Sequence, residues 1–425
     1  MRTSSRVPRS ALLAAVLLAV AVVGGCSFAP ASSGSGGVPT VTASQPTAGS
    51  ASAAPPATAA ATSPASQPAS TTPAASQPAG GPVPAGFAAD SVTFVSAREA
   101  FVLGTAPCEN APCTSILRTL DRGATWRGLP APVVPIGQPG QGSSPRAWGI
   151  RFATPMQGFV FGDGLWVTTD GGEHWTQISY PGGQILSLAT IDGQVLALTT
   201  TAPTAYVNGT LSSQTLYRRP LGGGAWQQVA VVHVPGFSDP TDLISTQGGV
   251  ATVVDDTSVL VTGNGGLTYS LRATPCTQPG VPPGTLATPT TGAGLALVCT
   301  GQGYTGHVNK TSYVSADLGA HWTKAGTPPS AGEPDAIAAG TPATLVIASA
   351  SAASWLFSSG DSAASWATAA TELDGGVGWA DLGFTTPADG VIIHGPVLSA
   401  SNSEGRPGQL MLTSNGGATW YQVPF

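Results

Sequence analysis

Charge is what this chain has least of. Asp, Glu, Lys and Arg make up 8% of its 425 residues, against roughly a quarter in an ordinary soluble domain. Lysine occurs twice and glutamate six times. The formal charge of −6 becomes −9 once the three arginines among the first nine residues are set aside. That balance excludes a nucleic-acid surface and a basic patch for anionic lipid. After Val23 there is no 3.6-residue apolar stripe, which excludes helices as the main element. There is also no further apolar run of membrane-spanning length, so any anchor has to be a lipid. G-x-S-x-G, P-loop and H-E-x-x-H patterns are missing too, and no cofactor is expected. The surface must instead be Ser, Thr, Gly and Ala, which fits an all-β extracellular domain with many turns.

The first segment is the exception to this neutrality. Arg2, Arg6 and Arg9 precede 13 unbroken apolar residues, 11–23, too short for a comfortable membrane span and suited to a signal-peptide core. Val23, Gly24, Gly25 and Cys26 then resemble a bacterial lipobox, which implies diacylglycerol on the Cys26 thiol and removal of residues 1–25. Residues 27–85 hold no charge and are almost entirely Ala, Ser, Thr, Pro, Gly and Gln. Such a composition buries no core and is expected to be disordered. As a coil it reaches about 45 Å, and fully stretched about 180 Å. Residues 26–85 thus read as a lipidated tether in front of a folded domain, 86–425. The expected location is the outer face of the bacterial cell membrane.

Beyond Cys26 stand four cysteines, an even number that favours disulfides in a secreted chain. Cys108 and Cys113 flank a short turn and most simply close a local loop. Cys276 and Cys299 would then tie one structural unit to the next. No metal site is expected, because CxxC spacing and neighbouring histidines are lacking.

The folded part is organised by one repeated stretch. In residues 118–126, RTLDRGATW, an Asp stands five residues before an aromatic and a Gly three before it. Aligned on Trp126, Trp175, Trp226, Tyr269, Trp322, Trp366 and Trp420, the gaps are 49, 51, 43, 53, 44 and 54 residues. The Asp column reads Asp121, Asp170, Leu221, Asn264, Asp317, Asp361 and Asn415. The Gly column reads Gly123, Gly172, Gly223, Gly266, Gly319, Ala363 and Gly417. A period near fifty means a repeat architecture. An Asp or Asn oxygen accepts nearby backbone N–H groups and closes a tight turn. A glycine there tolerates a positive φ, and the aromatic can pack across to the next unit. These residues therefore read as structural.

The pattern resembles the Asp-box, or BNR, repeat of sialidases, sortilin-type receptors and the photosystem II assembly factor. Residues 149–178, GIRFATPMQGFVFGDGLWVTTDGGEHWTQI, are similar to the assembly-factor type of unit. The resemblance implies a seven-bladed β-propeller of four-stranded antiparallel blades, and it is shared by catalytic and non-catalytic propellers. Strands are expected at 148–153, 158–162, 165–169 and 174–179 in the second unit, and at 379–384, 390–394, 409–413 and 419–423 in the seventh. Residues 86–90 are expected to help close the ring.

In such a ring the first and third turns of every blade share one face, which carries the repeated turns. The second turns and the links between blades lie on the other. The long loops, 106–112, 129–146, 202–214, 301–311 and 396–408, fall on that second face. Loops on a rigid scaffold are where function tends to sit. The candidate binding residues there are Arg146, Tyr206, Asn208, Asp255, Asp256, Tyr304, His307, Lys310, Glu404 and Arg406. Tyr206 and Tyr304 can stack on a sugar or a peptide, and Asp255 with Asp256 can hold a cation or serve as acid and base. His307 and Lys310 read as an exposed loop pair. Sialidase chemistry, by the resemblance, would need three converging arginines, a Tyr–Glu nucleophile pair and an acid–base Asp. Arg151 in GIRF is only faintly similar to the first arginine, and no glutamate can be placed beside a strand tyrosine. The leading reading is a monomeric, non-catalytic binding or assembly module for an envelope protein or glycan. The alternative is a glycoside hydrolase, for which Asp256 and Glu404 would be the opposed carboxylates.

Overall fold

The structure, a computed structural model, describes residues 78–109, 112–137, 145–201, 212–234, 244–247, 250–254, 258–276, 285–292, 294–373, 375, 377–395 and 408–425. Side chains are described for these except at 212, 213, 233, 234, 244–247, 250, 251, 253 and 254. The chain divides into two units, Met1–Thr71 and Thr72–Phe425, and every described residue belongs to the second. The expected leader, Cys26 and nearly all of the tether lie outside the described residues. Among the described residues no helix is long and apolar enough to cross a membrane.

Short strands separated by glycine turns, the inner ones buried along nearly their whole length, form four-stranded antiparallel sheets in chain order. Sheet 1 holds β1 (Ala88–Phe94), β2 (Ala100–Ala106), β3 (Cys113–Thr119) and β4 (Arg127–Leu129). Sheet 2 holds β5 (Ala147–Phe152), β6 (Gly158–Gly162), β7 (Leu165–Thr168) and β8 (Thr176–Gln177). Sheet 3 holds β9 (Gln184–Ile191), β10 (Gln194–Thr200), β11 (Ser212–Pro220) and β12 (Gln227–Val234). Sheet 4 holds β13 (Ile244–Gln247), β14 (Val250–Val254), β15 (Ser258–Thr262) and β16 (Ser270–Ala273). Sheet 5 holds β17 (Thr285–Ala287), β18 (Leu295–Tyr304), β19 (His307–Ser315) and β20 (Thr323–Lys324). Sheet 6 holds β21 (Glu333–Ala339), β22 (Leu345–Ala350), β23 (Ser354–Ser359) and β24 (Ala367–Glu372). Sheet 7 holds β25 (Trp379–Phe384), β26 (Gly390–His394), β27 (Gln409–Thr413) and β28 (Tyr421–Val423). The first three expected strands of the seventh unit match β25, β26 and β27 residue for residue.

No sheet buries both its faces alone, so each packs on the next. Phe101, Leu103 and Ile116 of sheet 1 share a core with Ile150, Phe152 and Val160 of sheet 2. Similar cores join sheets 2 to 3, 3 to 4, 4 to 5, 5 to 6 and 6 to 7. A last one joins Ala380, Val391, Ile393 and Leu410 of sheet 7 to Val92, Val102 and Leu117 of sheet 1. That contact returns the stack on itself as a β-propeller.

The repeated turn has a more specific construction than its two obvious columns. In sheet 1 the Asp121 Oδ1 accepts the Thr125 N–H at 2.8 Å and the Thr119 hydroxyl at 2.8 Å. Its Oδ2 accepts the Thr125 hydroxyl at 2.6 Å. The Thr119 oxygen in turn accepts the Gly123 N–H at 2.8 Å. Thr168, Thr262, Ser315, Ser359 and Thr413 repeat this role, so a buried hydroxyl two residues before the Asp is a third column. Two consecutive residues then take positive φ, such as Arg122 at 66° and Gly123 at 83°. Sheet 3, with Leu221, closes its turn differently, through the Gly223 N–H and the Pro220 carbonyl at 3.0 Å. The aromatic does reach across: Trp175 donates to the Pro130 carbonyl and Trp322 to the Ala273 carbonyl, both at 3.1 Å and both toward the preceding sheet.

Asn264 and Asn415 keep the oxygen that accepts the backbone N–H and donate their amide to Thr268 and Thr419 at 2.8 Å. Asp121→Asn is therefore expected to be nearly neutral, whereas Asp121→Ala strips the turn of its acceptors and costs about 1–2 kcal/mol. Urea unfolding of the two variants checks this; equal losses would contradict it.

The chain closes by more than core packing. Phe425, the last residue, packs edge-on against Phe87 and Trp126, with ring centroids 4.9 and 5.2 Å apart. The Ala89 N–H bonds the Gly408 carbonyl at 3.2 Å. The end of the expected tether is also drawn in. Gly81 and Gly128 exchange two backbone bonds along the outer edge of β4, at 2.8 and 3.0 Å, and Arg118 donates to the Pro78 carbonyl. Gly80 permits this approach: its φ is 73°, and a Cβ there would stand 2.8 Å from that of Arg127. Paired backbone thus extends ahead of residue 86, on the outer edge of β4.

Candidate functional site

Backbone bonds fix which turns share a face. Arg122 N–H bonds the Arg98 carbonyl, Gly171 that of Met156, Ser362 that of Ala343 and Gly416 that of Ala388, at 2.8–3.0 Å. Each joins a repeated turn to the first turn of its own sheet. The connections β2–β3, β10–β11, β18–β19 and β26–β27 leave from the opposite ends of the strands, together with the links between sheets. Tyr206, Asn208, Asp255, Asp256, Glu404 and Arg406 lie outside the described residues.

Arg146 is committed locally. Its N–H bonds the Asp163 Oδ2 at 2.9 Å, and its Nη1 reaches the Ile136 carbonyl at 3.4 Å. Gly137 makes room for it, since a Cβ there would lie 2.5 Å from Nη1. Gln184 holds the other Asp163 oxygen at 2.6 Å. Arg146 therefore pins the link between sheets 1 and 2 onto sheet 2.

Tyr304 and His307 are brought together, though not by a loop. The expected loop 301–311 is a β-hairpin in which β18 and β19 continue to a Tyr304–His307 pair around Gly306 at φ 72°. The register shifts in a bulge between Thr300 and Gly303. The two rings stack 5.2 Å apart at 17°. The Tyr304 hydroxyl donates to Ser330 Oγ at 3.2 Å, which lies 3.5 Å from His307 Nδ1. All three are exposed or partly so, and Tyr304 keeps 57% of its surface.

Lys310 corrects a second expectation. It is no exposed partner of His307 but is fully buried, at 2% exposure. Its ammonium donates to the carbonyls of Pro329, Ala331 and Gly332 at 2.9, 2.9 and 2.7 Å. Burial brings its pKa down to about 8, with Asp335 and Glu333 acting against that fall. The alternation Val308, Lys310, Ser312 along β19 points it inward. Lys310 thus holds segment 329–332 under the hairpin. The Val308 N–H to the Ser330 carbonyl, the Gly332 N–H to the Gly306 carbonyl and the Ser351 hydroxyl to the same Gly306 oxygen complete the clamp, at 2.9, 3.1 and 3.1 Å. The result is a preorganised aromatic platform on the long-loop face. Ser330 carried no sequence signal; it enters only because the hairpin leans onto the next sheet's link.

Both expected disulfides are present. Cys108–Cys113 spans 5.8 Å and Cys276–Cys299 5.2 Å between Cα atoms. The first borders a cleft of about 420 Å³ lined by Gly86, Thr105, Ala106, Pro107, Glu109 and Pro112.

Arg151 and Asp381 meet at the seam between first and last sheets. Asp381, at φ 52° in a bulge of β25, accepts the Ser91 hydroxyl and the Val92 N–H at 2.6 Å each. Arg151 donates to Asp381 at 2.9 Å, to Ser91 Oγ at 3.3 Å and to the Val92 carbonyl at 3.4 Å. Sheets 7, 1 and 2 are stitched by these three side chains, so Arg151 already has its carboxylate.

Among the described residues one group of three potential metal ligands gathers, Asp170, Glu173 and His174. Asp170 already accepts the Glu173 and His174 N–H groups at 3.0 Å each and the His174 ring at 2.8 Å. Burial opposes ionisation of Asp170, yet these bonds hold its pKa at about 2. Asp317 and His321 repeat the pair at 2.6 Å with Ala320 in the third place. The pair therefore closes the turn without a third ligand.

No family model matches the chain, and neither does any curated protein. Among solved structures it is similar to YCF48 bound to a D1 peptide, at 16% identity and a TM-score of 0.47 over 77% of this chain and 93% of that one. It is similar to YCF48 from Cyanidioschyzon merolae at 13% and 0.47, over 79% and 97%. The GH74 enzyme of Niastella koreensis stands at 12% and 0.30, over 79% and 71%. These likenesses concern the fold alone.

Proposed function

We propose that this chain is a lipid-anchored, extracytoplasmic propeller that binds a protein or glycan of the bacterial cell envelope through its long-loop face. On this reading Cys26 carries the lipid, the neutral segment before the first sheet is the tether, and the sheets are seven blades of the Asp-box type. The binding role rests on one observation: Tyr304, His307 and Ser330 form an exposed platform that a buried lysine and four further hydrogen bonds hold in place. An aromatic ring kept rigid and exposed loses little entropy when a partner stacks on it. Sialidase chemistry finds less support, because Arg151 is paired with Asp381 within the seam.

Co-sedimentation of the chain from residue 27, without the lipid, with purified bacterial envelopes tests the binding role. Tyr304→Ala and His307→Ala are each expected to weaken retention about three- to ten-fold, the range a lost ring contact gives. Retention equal to wild type in both variants would sink the proposal.

A further inference from the structure

Burial alternates along the part of β19 that forms the hairpin arm with β18. His307 and Asn309 are exposed and Thr311 is half-buried, while Val308, Lys310 and Ser312 between them are buried. Further along the same strand Tyr313 packs in the core between sheets 4 and 5, with Cys276 and Cys299. Side chains two positions apart share a face of a strand, so Thr311, Asn309 and His307 stand on the sheet 4 side of the arm. The pairing agrees: Thr311 lies opposite Cys299, and Tyr304 lies opposite His307. That side therefore carries a continuous strip. It begins with two stacked rings, meets an amide about 7 Å along the strand and a hydroxyl about 7 Å beyond that.

Neither strand adds a permanent charge to the strip. Lys310 is the single Asp, Glu, Lys or Arg of β18 and β19, and it points to the other side, onto the carbonyls of segment 329–332. Asn309 and Thr311 have no side-chain hydrogen-bond partner among the described residues. Nor can a peptide add to β19 as a further strand. One edge holds β18, and on the other Ser312 N–H bonds the Gly326 carbonyl and Val308 N–H the Ser330 carbonyl, at 3.0 and 2.9 Å. A ligand here is read by side chains, without backbone pairing.

We infer that the sheet 4 side of the β18–β19 arm is a subsite for a neutral glycan, a chain of uncharged pyranose rings. The inference deepens the proposed binding face and rests on it. A pyranose has an apolar C–H face and a rim of hydroxyls. The rings of Tyr304 and His307 match the face. The rim is matched by Asn309, whose amide offers two donors and an acceptor, and by the Thr311 hydroxyl, which does both. An anionic polymer would need a cation to bind here, and the one cation of the arm is buried on the opposite side.

Co-sedimentation of the chain from residue 27, without lipid, with three envelope preparations tests it: untreated, protease-digested and periodate-oxidised. Periodate cleaves the vicinal diols of sugars. Retention is expected to survive digestion and to fall at least about ten-fold after periodate. It should change less than about two-fold between about 50 and 500 mM salt, because no ion pair is involved. Asn309→Ala and Thr311→Val each remove a hydrogen-bonding group and are expected to weaken retention about three- to ten-fold. Retention that survives periodate and is lost on digestion identifies a protein partner and overturns the glycan, while its sensitivity to Tyr304→Ala would keep the binding face. Wild-type retention in both Asn309→Ala and Thr311→Val, or loss of binding at high salt, also overturns the glycan. Retention indifferent to Tyr304→Ala, or none at all, removes the face and the glycan together.

Discussion

Asp90→Asn is expected to stabilise the protein by about 2–4 kcal/mol above pH 7, with the gain shrinking toward zero near pH 4. Asp90 occupies the bulge of β1 between Ala89 and Ser91. Its Oδ2 is shielded from solvent and has no hydrogen-bond partner among the described residues. Burial pushes its carboxyl from 3.8 up to about 7. In the unfolded chain the group ionises near its ordinary value, so between those two pH values the folded state holds more protons. Stability from the protonated form is whole below about pH 4 and lost as pH rises to 7. Asparagine has the same shape and no charge to desolvate. Urea midpoints of wild type and variant, measured from pH 4 to 8.5, should diverge with rising pH. Parallel curves would mean that the Asp90 carboxyl is solvated or paired.

Asp381→Ala should be among the most damaging single changes in the chain, at about 3–5 kcal/mol. The side chain of Asp381 is 2% exposed and that of Arg151 19%, so removing the carboxylate strands a mostly buried guanidinium. It also leaves the Val92 N–H and the Ser91 hydroxyl without their acceptor. The damage falls where the first and last sheets meet, which is where the chain depends on side chains to close. Adding Arg151→Met to Asp381→Ala should recover part of the loss, because the stranded charge then disappears; a coupling of about 1–3 kcal/mol is expected. Hydrogen exchange in Asp381→Ala should rise first in β1 and β25. Additive losses, or exchange rising evenly around the ring, would show that the seam network carries little.

The repeat was legible because a turn's chemistry is local. Asp, Gly and aromatic columns announce themselves at fixed spacing, and the strands follow from alternation between turns. The buried hydroxyl at Thr119 and its equivalents was equally visible but easily passed over in a chain so rich in Ser and Thr. Lys310 was legible as well, since it shares the inward register of Val308 and Ser312, yet residues 301–311 read as a loop. Other features were out of reach. Ser330 joins Tyr304 through a hairpin crossing to a different sheet. Asp381 and Ser91 are separated by 290 positions. Nothing local distinguishes Asp90, whose buried Oδ2 has no partner among the described residues, from the well-bonded Asp381, because both sit in bulges of innermost strands. Periodicity finds the scaffold; the contacts that close it are made between units and have no period.

The most direct measurement of the binding account is site-specific photo-crosslinking in living cells, with p-benzoylphenylalanine at Tyr304 or at Leu120. Tyr304 stands on the long-loop face; Leu120 is 49% exposed beside a repeated turn on the other. A discrete adduct from position 304 with none from 120 is the predicted result. Adducts from 120 and none from 304 would place the partner on the opposite face and contradict the account.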